Sequence, residues 1–114
     1  MCQALGLWPT RKYESQGGPG AVAIADLLRR TSKAADEDVH RFIQALVFNW
    51  LACGTDAHAR NYALLLDHDS VRLAPLYDLN SHLAYSDGRA NNLSMQVNGK
   101  FQAAAVSVDD WVDY

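Results

Sequence analysis

Apolar residues recur every three or four positions through the first half of the chain, the spacing that places them on one face of an α-helix. The clearest run, from Glu37 to Cys53, predicts a long helix. Asp36 suits its N-cap, and Glu37 and Asp38 bring negative charge to its first turn. Gly54 suits the left-handed residue that closes a helix. We expect its apolar stripe to face the core: Val39, Phe42, Ile43, Leu46, Val47, Trp50 and Leu51.

A mostly apolar segment from Ala21 to Arg30 predicts an earlier helix, and its cationic end agrees with the helix dipole. The residues before it, Tyr13 to Gly20, are rich in glycine. Their order does not match GxGxxG or GxxxxGKS/T, which phosphate-binding loops require. We therefore interpret this stretch as a turn that leads into the helix.

The second half of the chain carries strand patterns. Two short apolar runs, Tyr62 to Leu66 and Val71 to Leu76, predict a β-hairpin across the polar residues 67–70. A last helix is predicted from near Ser107, with Asp109 and Asp110 in its first turn and Trp111 facing inward.

A second hairpin is predicted around Asn98-Gly99, because apolar residues alternate on both sides of it. A two-residue turn there would pair Val97 with Lys100 and put Phe101 on the wrong face. A loop one residue longer pairs Val97 with Phe101 and matches both apolar faces. We therefore predict the longer loop, although Asn-Gly is a strong signal for the shorter one.

These elements predict one domain over residues 1–114, mainly α with small β-hairpins (α+β). The chain has 114 residues, 49% of them apolar, which is typical of a folded domain rather than a disordered one. Its net charge of −3 gives no indication of a nucleic-acid surface. No signal peptide or membrane span is visible in the sequence. Cys2 and Cys53 lie in segments that are predicted to be buried helix, so we expect reduced thiols in a cytoplasmic protein, with a disulfide between them as the alternative.

A polar loop directly after the long helix carries the candidate chemistry. Asp56 and Asn61 are five residues apart in it, and Asp78 follows the first hairpin. The C-lobe of protein kinases has the same order of elements: a helix, an Asp-x4-Asn loop, a hairpin and a second Asp. Phosphoryl transfer needs a carboxylate near the attacking hydroxyl and an oxygen-rich Mg²⁺ site beside the phosphates. The spacing alone, however, also occurs by chance in loops.

The residues around these positions are more specific. The blocks WLACGTDAHARNYALLL and VRLAPLYDLNS, with KYESQGGPG and IADLLRR upstream, resemble the HipA-like family of serine/threonine kinases. Two further segments resemble the same family: CQALGLWPTRKYE near the start of the chain and LSMQVNGKF in the second predicted hairpin. The resemblance covers nearly the whole chain and corresponds to a portion of the kinase C-lobe.

The resemblance implies a role for each matching residue. Asp56 would be the catalytic base or would orient the substrate hydroxyl. His58 and Arg60 would lie against the phosphates of ATP. The Mg²⁺ ligands would be Asn61 and Asp78, and Tyr77 would flank the nucleotide.

One departure from common protein kinases concerns the position two residues after the catalytic aspartate. That residue is usually lysine, whereas this chain has His58. Arg60 is therefore our candidate for the main permanent positive charge near the transferred phosphoryl group.

The resemblance also implies partners. Kinases of this family act on a protein substrate and serve as toxins of bacterial toxin–antitoxin pairs. A DNA-binding antitoxin of the HipB type would bind the toxin, so that DNA is contacted only indirectly. The N-lobe of such kinases has no counterpart here, and the opening MCQALGL has the pattern of a helix interior. We therefore expect an excerpt of a longer chain, with negligible kinase activity for the 114 residues alone.

Other interpretations remain open from the residues. Asp56 alone could be a hydrogen bonder at a helix end, and Asp78 a turn residue. The chain could be a binding or regulatory module that keeps the C-lobe shape without catalysis. It could also be a metal-dependent hydrolase that uses Asp56, His58 and Asp78. A hydrolase would bind its ion without nucleotide, which separates it from a kinase.

Overall fold

The structure is a computed structural model that describes residues 1–8, 10–52, 57–77 and 92–112. It contains helices α1 (Ala21–Thr31), α2 (Ala35–Leu51) and α3 (Val108–Val112). Two antiparallel hairpins are formed by β1 (Leu64–Asp67) with β2 (Ser70–Leu73) and by β3 (Asn92–Val97) with β4 (Lys100–Gln102). Short 3₁₀ turns lie at Gln3–Leu5, Glu14–Gln16, Ala59–Asn61 and Ala103–Ala105. This is the α+β fold with small hairpins that the sequence predicts.

The main core lies between α1 and α2. Ile24 and Leu28 of α1 and Phe42 of α2 are completely buried there. The predicted stripe of α2 is correct for most of its positions, but Leu51 is 66% exposed and does not face the core. Among the described residues, no helix is long and apolar enough to cross a membrane.

The predicted N-cap of α2 is wrong. The helix begins at Ala35, so that Asp36 lies inside its first turn and not before it. The hydroxyl of Ser32 accepts a hydrogen bond from the Ala34 amide at 3.1 Å. This bond turns the chain ahead of the helix, and α2 therefore starts earlier than the charge pattern indicates. The predicted C-terminal residue, Gly54, lies outside the described residues.

Asp38 is a buried structural carboxylate rather than an exposed charge at the helix start. It accepts hydrogen bonds from Ser32 Oγ at 2.6 Å and from the backbone amide of Leu73 at 2.7 Å. Arg72 binds it in a bidentate manner, with Nε and Nη2 both at 3.0 Å. Burial would raise the pKa of Asp38, but these hydrogen bonds outweigh it and lower the pKa to about 2. Asp38 thereby joins α2 to β2.

The first predicted hairpin is confirmed, with a tighter connection than expected. Asp67 pairs with Ser70, which leaves only His68 and Asp69 in the turn. His68 adopts a positive φ of 45°. Leu73 of β2 is buried against the helices, which seats this hairpin on the core.

The predicted register of the second hairpin is wrong. Val97 pairs with Lys100, so the connection is the two-residue turn Asn98-Gly99 and not the longer loop. Both turn residues have positive φ, 48° and 79°, as in the type I′ turn that matches strand twist. A register shift between Asn92 and Val97 absorbs the mismatch between the two apolar faces.

The C-terminal helix α3 is confirmed near its predicted start, and Asp110 fixes it to the second hairpin. The carboxylate of Asp110 accepts hydrogen bonds from the Ser107 amide at 2.7 Å, Lys100 Nζ at 2.8 Å and Asn98 Nδ2 at 3.0 Å. The bond from Lys100, followed by the others, holds the pKa of Asp110 well below its usual range. Trp111 faces inward as predicted, with its ring centroid 5.8 Å from that of Trp50 in α2.

We predict that Asp38→Asn destabilises the protein by about 3 kcal/mol at pH 7, because the completely buried side chain then loses its charge and one of the two oxygens that accept from Ser32, Arg72 and Leu73. Chemical denaturation measures this change. Asp36→Asn removes an exposed carboxylate two residues away and is expected to cost less than about 1 kcal/mol. Equal losses for the two variants would contradict a special role for Asp38.

The same pair gives a pH test. Because the folded pKa of Asp38 is depressed to about 2, its stabilising contribution is complete above the unfolded pKa of about 4 and is lost as the pH falls toward 2. The difference in stability between wild type and Asp38→Asn should therefore shrink between about pH 4 and pH 2.

Candidate functional site

The candidate site residues fall into two groups. His58, Arg60, Asn61 and Tyr77 belong to the described part of the chain, and Asp56 and Asp78 lie outside it. The geometry of the site is therefore that of the loop 57–61 and of the segment 74–77.

The loop 57–61 closes in a single 3₁₀ turn, Ala59–Asn61. The amide of Asn61 donates to the carbonyl of His58 at 2.9 Å, which tightens the turn. Ala59 is completely buried, and His58 and Asn61 are 6% and 8% exposed. Arg60 is exposed. The loop is thus packed into the domain, with the arginine at its surface.

Tyr62 anchors the end of this loop to α2. Its ring packs edge-on against Phe42, with centroids 5.0 Å apart. Asn49 Nδ2 donates to the Tyr62 hydroxyl at 3.1 Å, which explains a buried amide on the apolar face of α2. Burial raises the pKa of Tyr62 to about 12, so its hydroxyl stays protonated at neutral pH.

The other side of the loop rests on residues that precede α1. The amide of Ala59 donates to the carbonyl of Lys12 at 3.2 Å. The Tyr13 ring meets the His58 ring edge-on, with centroids 5.2 Å apart and planes at 87°. Lys12 Nζ lies 5.1 Å from the centroid of the Tyr13 ring. The sequence gives no sign of this support, because no spacing in the sequence indicates which loop the residues of a turn contact.

The segment 74–77 returns to the loop after the first hairpin. The Ala74 amide donates to the Ala63 carbonyl at 2.8 Å, directly beyond the paired strands. The hydroxyl of Tyr77 then donates to the carbonyl of Arg60 at 2.6 Å. The structure therefore brings Tyr77 to the residue next to Asn61, across a hairpin that separates them in sequence.

A metal site formed by protein groups alone requires several ligand side chains close together. Within 1–8, 10–52, 57–77 and 92–112, no three His, Cys, Asp or Glu side chains cluster as a metal site would require. Mg²⁺, however, takes oxygen ligands and commonly keeps waters and phosphate oxygens around one or two protein groups. The amide oxygen of Asn61 is a ligand of the chemical type that Mg²⁺ takes.

Comparisons with known proteins bear on the whole chain. Residues 1–113 match the model of the HipA-like C-terminal domain family. The chain is 38% identical over 111 residues to a Sinorhizobium fredii protein named "Putative kinase Y4mE", covering 97% of this chain. It is 30% identical over 118 residues to "Serine/threonine-protein kinase toxin HipA" of Shewanella oneidensis, covering 92% of this chain. The chain spans 26% of the length of each of these relatives.

The fold is also similar to that of a solved structure. A chain in the complex of Shewanella oneidensis MR-1 HipA, HipB and operator DNA superposes with a TM-score of 0.82 at 24% identity. The match covers 98% of this chain and 29% of the other. Sequence and fold agree over the same residues, and the chain belongs to the HipA-like C-terminal domain family.

Proposed function

We propose that this chain is the C-lobe portion of a HipA-like serine/threonine protein kinase, which transfers the γ-phosphate of ATP to a hydroxyl group of a protein substrate. The observation that carries the proposal is the 2.6 Å hydrogen bond from Tyr77 to the Arg60 carbonyl. It holds the loop that ends in Asn61 beside the segment that leads, in sequence, into Asp78. The kinase toxin of Shewanella oneidensis, at 30% identity, supports the same activity.

In this proposal each polar residue has a separate task. Asp56 accepts or orients the substrate hydroxyl proton, and Asn61 and Asp78 hold Mg²⁺, which offsets charge on the phosphates. His58 and Arg60 lie against the ATP phosphates, and the Tyr77 ring flanks the nucleotide.

Arg60 suits the phosphate role because it is exposed while its backbone is held. The Tyr77 hydroxyl engages its carbonyl, and the buried Ala59 and Asn61 flank it on either side. A guanidinium on a fixed backbone loses less conformational entropy when it binds an anion. We therefore assign Arg60 as the main permanent cation at the transferred group.

We further propose that the full protein is the toxin of a toxin–antitoxin pair and acts in the cytoplasm. The Shewanella oneidensis structure contains HipA together with HipB and operator DNA. A DNA-binding antitoxin of the HipB type is accordingly the proposed partner here, with DNA contacted through it. The basis for this step is the fold likeness together with the 30% identity to the HipA toxin.

Phosphoryl transfer to serine or threonine by the full-length protein tests the function. With labelled ATP, Mg²⁺-dependent transfer is expected, and Asp56→Asn should lower kcat by at least about a hundredfold. Asp69→Asn, in the exposed turn of the first hairpin, is the matched control and should leave kcat unchanged. Absence of transfer by the wild type would favour a non-catalytic module. Mg²⁺ bound tightly without ATP would favour a hydrolase.

Arg60→Ala is expected to lower kcat/KM for ATP roughly a hundredfold, because a charge that stabilises the transferred phosphoryl group is lost. Arg60→Lys keeps the positive charge but not the planar guanidinium that can donate two parallel hydrogen bonds. This variant should therefore recover part of the lost kcat/KM for ATP. Arg30→Ala, at the exposed end of α1, is the control. Unchanged ATP turnover in Arg60→Ala would contradict the assignment.

Two substitutions separate the hydroxyl of Tyr77 from its ring. Tyr77→Phe removes the bond to Arg60 and should raise the Mg²⁺ concentration at half-maximal rate about fivefold, the worth of one hydrogen bond of about 1 kcal/mol. Tyr77→Leu should in addition raise KM for ATP, because the flanking ring is gone. If Tyr77→Phe matches wild type at every Mg²⁺ concentration, the hydrogen bond does not position the site.

A further inference from the structure

Residues 12–16, which belong to the KYESQ block, connect two parts of the domain that are far apart in sequence. Lys12 and Tyr13 contact the loop 57–61, as described above. Glu14, the next residue, contacts β3. The function proposed above assigns no task to this segment, although its sequence is among the distinctive blocks of the chain.

The carboxylate of Glu14 uses both oxygens on a single residue of β3. Oε2 accepts the backbone amide of Gln96 at 2.8 Å, and Oε1 accepts the side-chain Nε2 of Gln96 at 2.7 Å. Hydrogen bonds to an ionised group are shorter and stronger than neutral ones. This pair fixes both the position and the direction of the Glu14 side chain, and so ties residues 12–16 to the second hairpin.

Gly20, at the start of α1, makes room for this carboxylate. A Cβ built on Gly20 would collide with the carboxylate group of Glu14. The φ of Gly20 is −83°, which other residues adopt easily, so its glycine is explained by the close approach of Glu14 and not by backbone conformation. Glu14, α1 and β3 therefore meet at one point.

The segment between these contacts is tightly wound. The carbonyl of Tyr13 accepts the amides of Gln16 at 3.0 Å and of Gly18 at 2.8 Å. A Cβ on Gly18 would collide with the carbonyls of Arg11 and Tyr13, so this turn also depends on a glycine. Because this turn is closed by its own hydrogen bonds, we expect a displacement of Glu14 to move Lys12 and Tyr13 as well.

We propose that Glu14 is a positioning residue for the loop 57–61. By fixing residues 12–16 between β3 and α1, it holds the Lys12 carbonyl under the Ala59 amide and the Tyr13 ring against His58. The effect of Glu14 on phosphoryl transfer rests on the proposed function, whereas its effect on the position of the loop 57–61 does not. The loop side chains would thus depend on a carboxylate that touches neither nucleotide nor substrate.

Hydrogen exchange of the full-length protein, measured at the Ala59 amide, tests the effect on the loop directly. Glu14→Gln keeps the side-chain size but replaces one of the two acceptor oxygens with an NH2 donor. The backbone amide and the side-chain Nε2 of Gln96 then no longer both have an acceptor. The Ala59 amide should then exchange about tenfold faster, as expected for local opening after a charge-assisted bond is lost. Amides in the middle of α2 should keep their rates. Asp36→Asn, which also converts a carboxylate to an amide at an exposed residue of α2, is the control and should leave Ala59 unchanged.

Gly20→Ala provides a second route to the same displacement, with Glu14 intact. Alanine suits the φ of Gly20 and a helix start, so the change would be neutral or stabilising without the collision. We expect faster exchange at Ala59 here too, and no further increase when Gly20→Ala is combined with Glu14→Gln. Unchanged Ala59 exchange in both variants, or equal acceleration in α2, overturns the proposal.

Kinetics of the full-length protein then separate the two proposals. Glu14→Gln should lower kcat about tenfold while KM for ATP changes less than about twofold, since the phosphate-facing loop is misplaced and the nucleotide pocket is not. A wild type that transfers no phosphate would refute the proposed function, while the exchange measurement would still decide the role of Glu14. Loss of kcat in the Asp36→Asn control would also count against Glu14.

Discussion

The buried carboxylate of Asp38 determines where the first hairpin lies on the helices. Arg72 and the amide of Leu73, both in β2, donate hydrogen bonds to it directly. A charge removed from water is tolerated only when its acceptor sites are occupied, so β2 has one position that satisfies it. The hairpin in turn fixes what precedes and follows it. The loop ending at Asn61 leads into β1, and Tyr77 follows β2, so the candidate site forms where the hairpin opens.

The sequence predicted those features of the fold that depend on local periodicity. Helices α1 and α2 and the first hairpin were predicted because apolar spacing and turn residues are properties of short windows. The register of the second hairpin was mispredicted because two local signals disagreed. Asn98-Gly99 favoured the short turn, and the alternation ending at Phe101 favoured the long one. The turn prevailed because a register shift within β3 accommodates the apolar faces, and periodicity does not reveal such shifts.

Asp38 shows more clearly what local sequence patterns cannot predict, namely the tertiary partners of a side chain. It stands beside Glu37 in an acidic first turn, and the helix dipole accounts for both residues equally well. Arg72 of β2 contacts both carboxylates, Glu37 at 3.3 Å and Asp38 at 3.0 Å. What distinguishes Asp38 is its complete burial and the hydrogen bonds that it accepts from Ser32 and the Leu73 amide. The local signal for the ion pair is an arginine between apolar residues of a strand. The same limit applies to the candidate site. Its loop was predictable as the polar end of α2, but the contacts of Lys12, Tyr13 and Glu14 depend on tertiary packing and have no pattern in the sequence.

Several of the hydrogen bonds that hold the loop 57–61 use its backbone. The Ala59 amide, the Arg60 carbonyl and the Asn61 amide are each engaged, and every residue type except proline offers the same groups. These three contacts therefore do not depend on the chemistry of the loop's side chains. A relative that had lost catalysis could keep this fold, so fold likeness alone does not distinguish a kinase from a binding module. What distinguishes them is the set of side chains on that backbone, and here Asp56, Asn61 and Asp78 are all present in the sequence. A scaffold needs none of the three, whereas transfer of a phosphoryl group through Mg²⁺ needs them together.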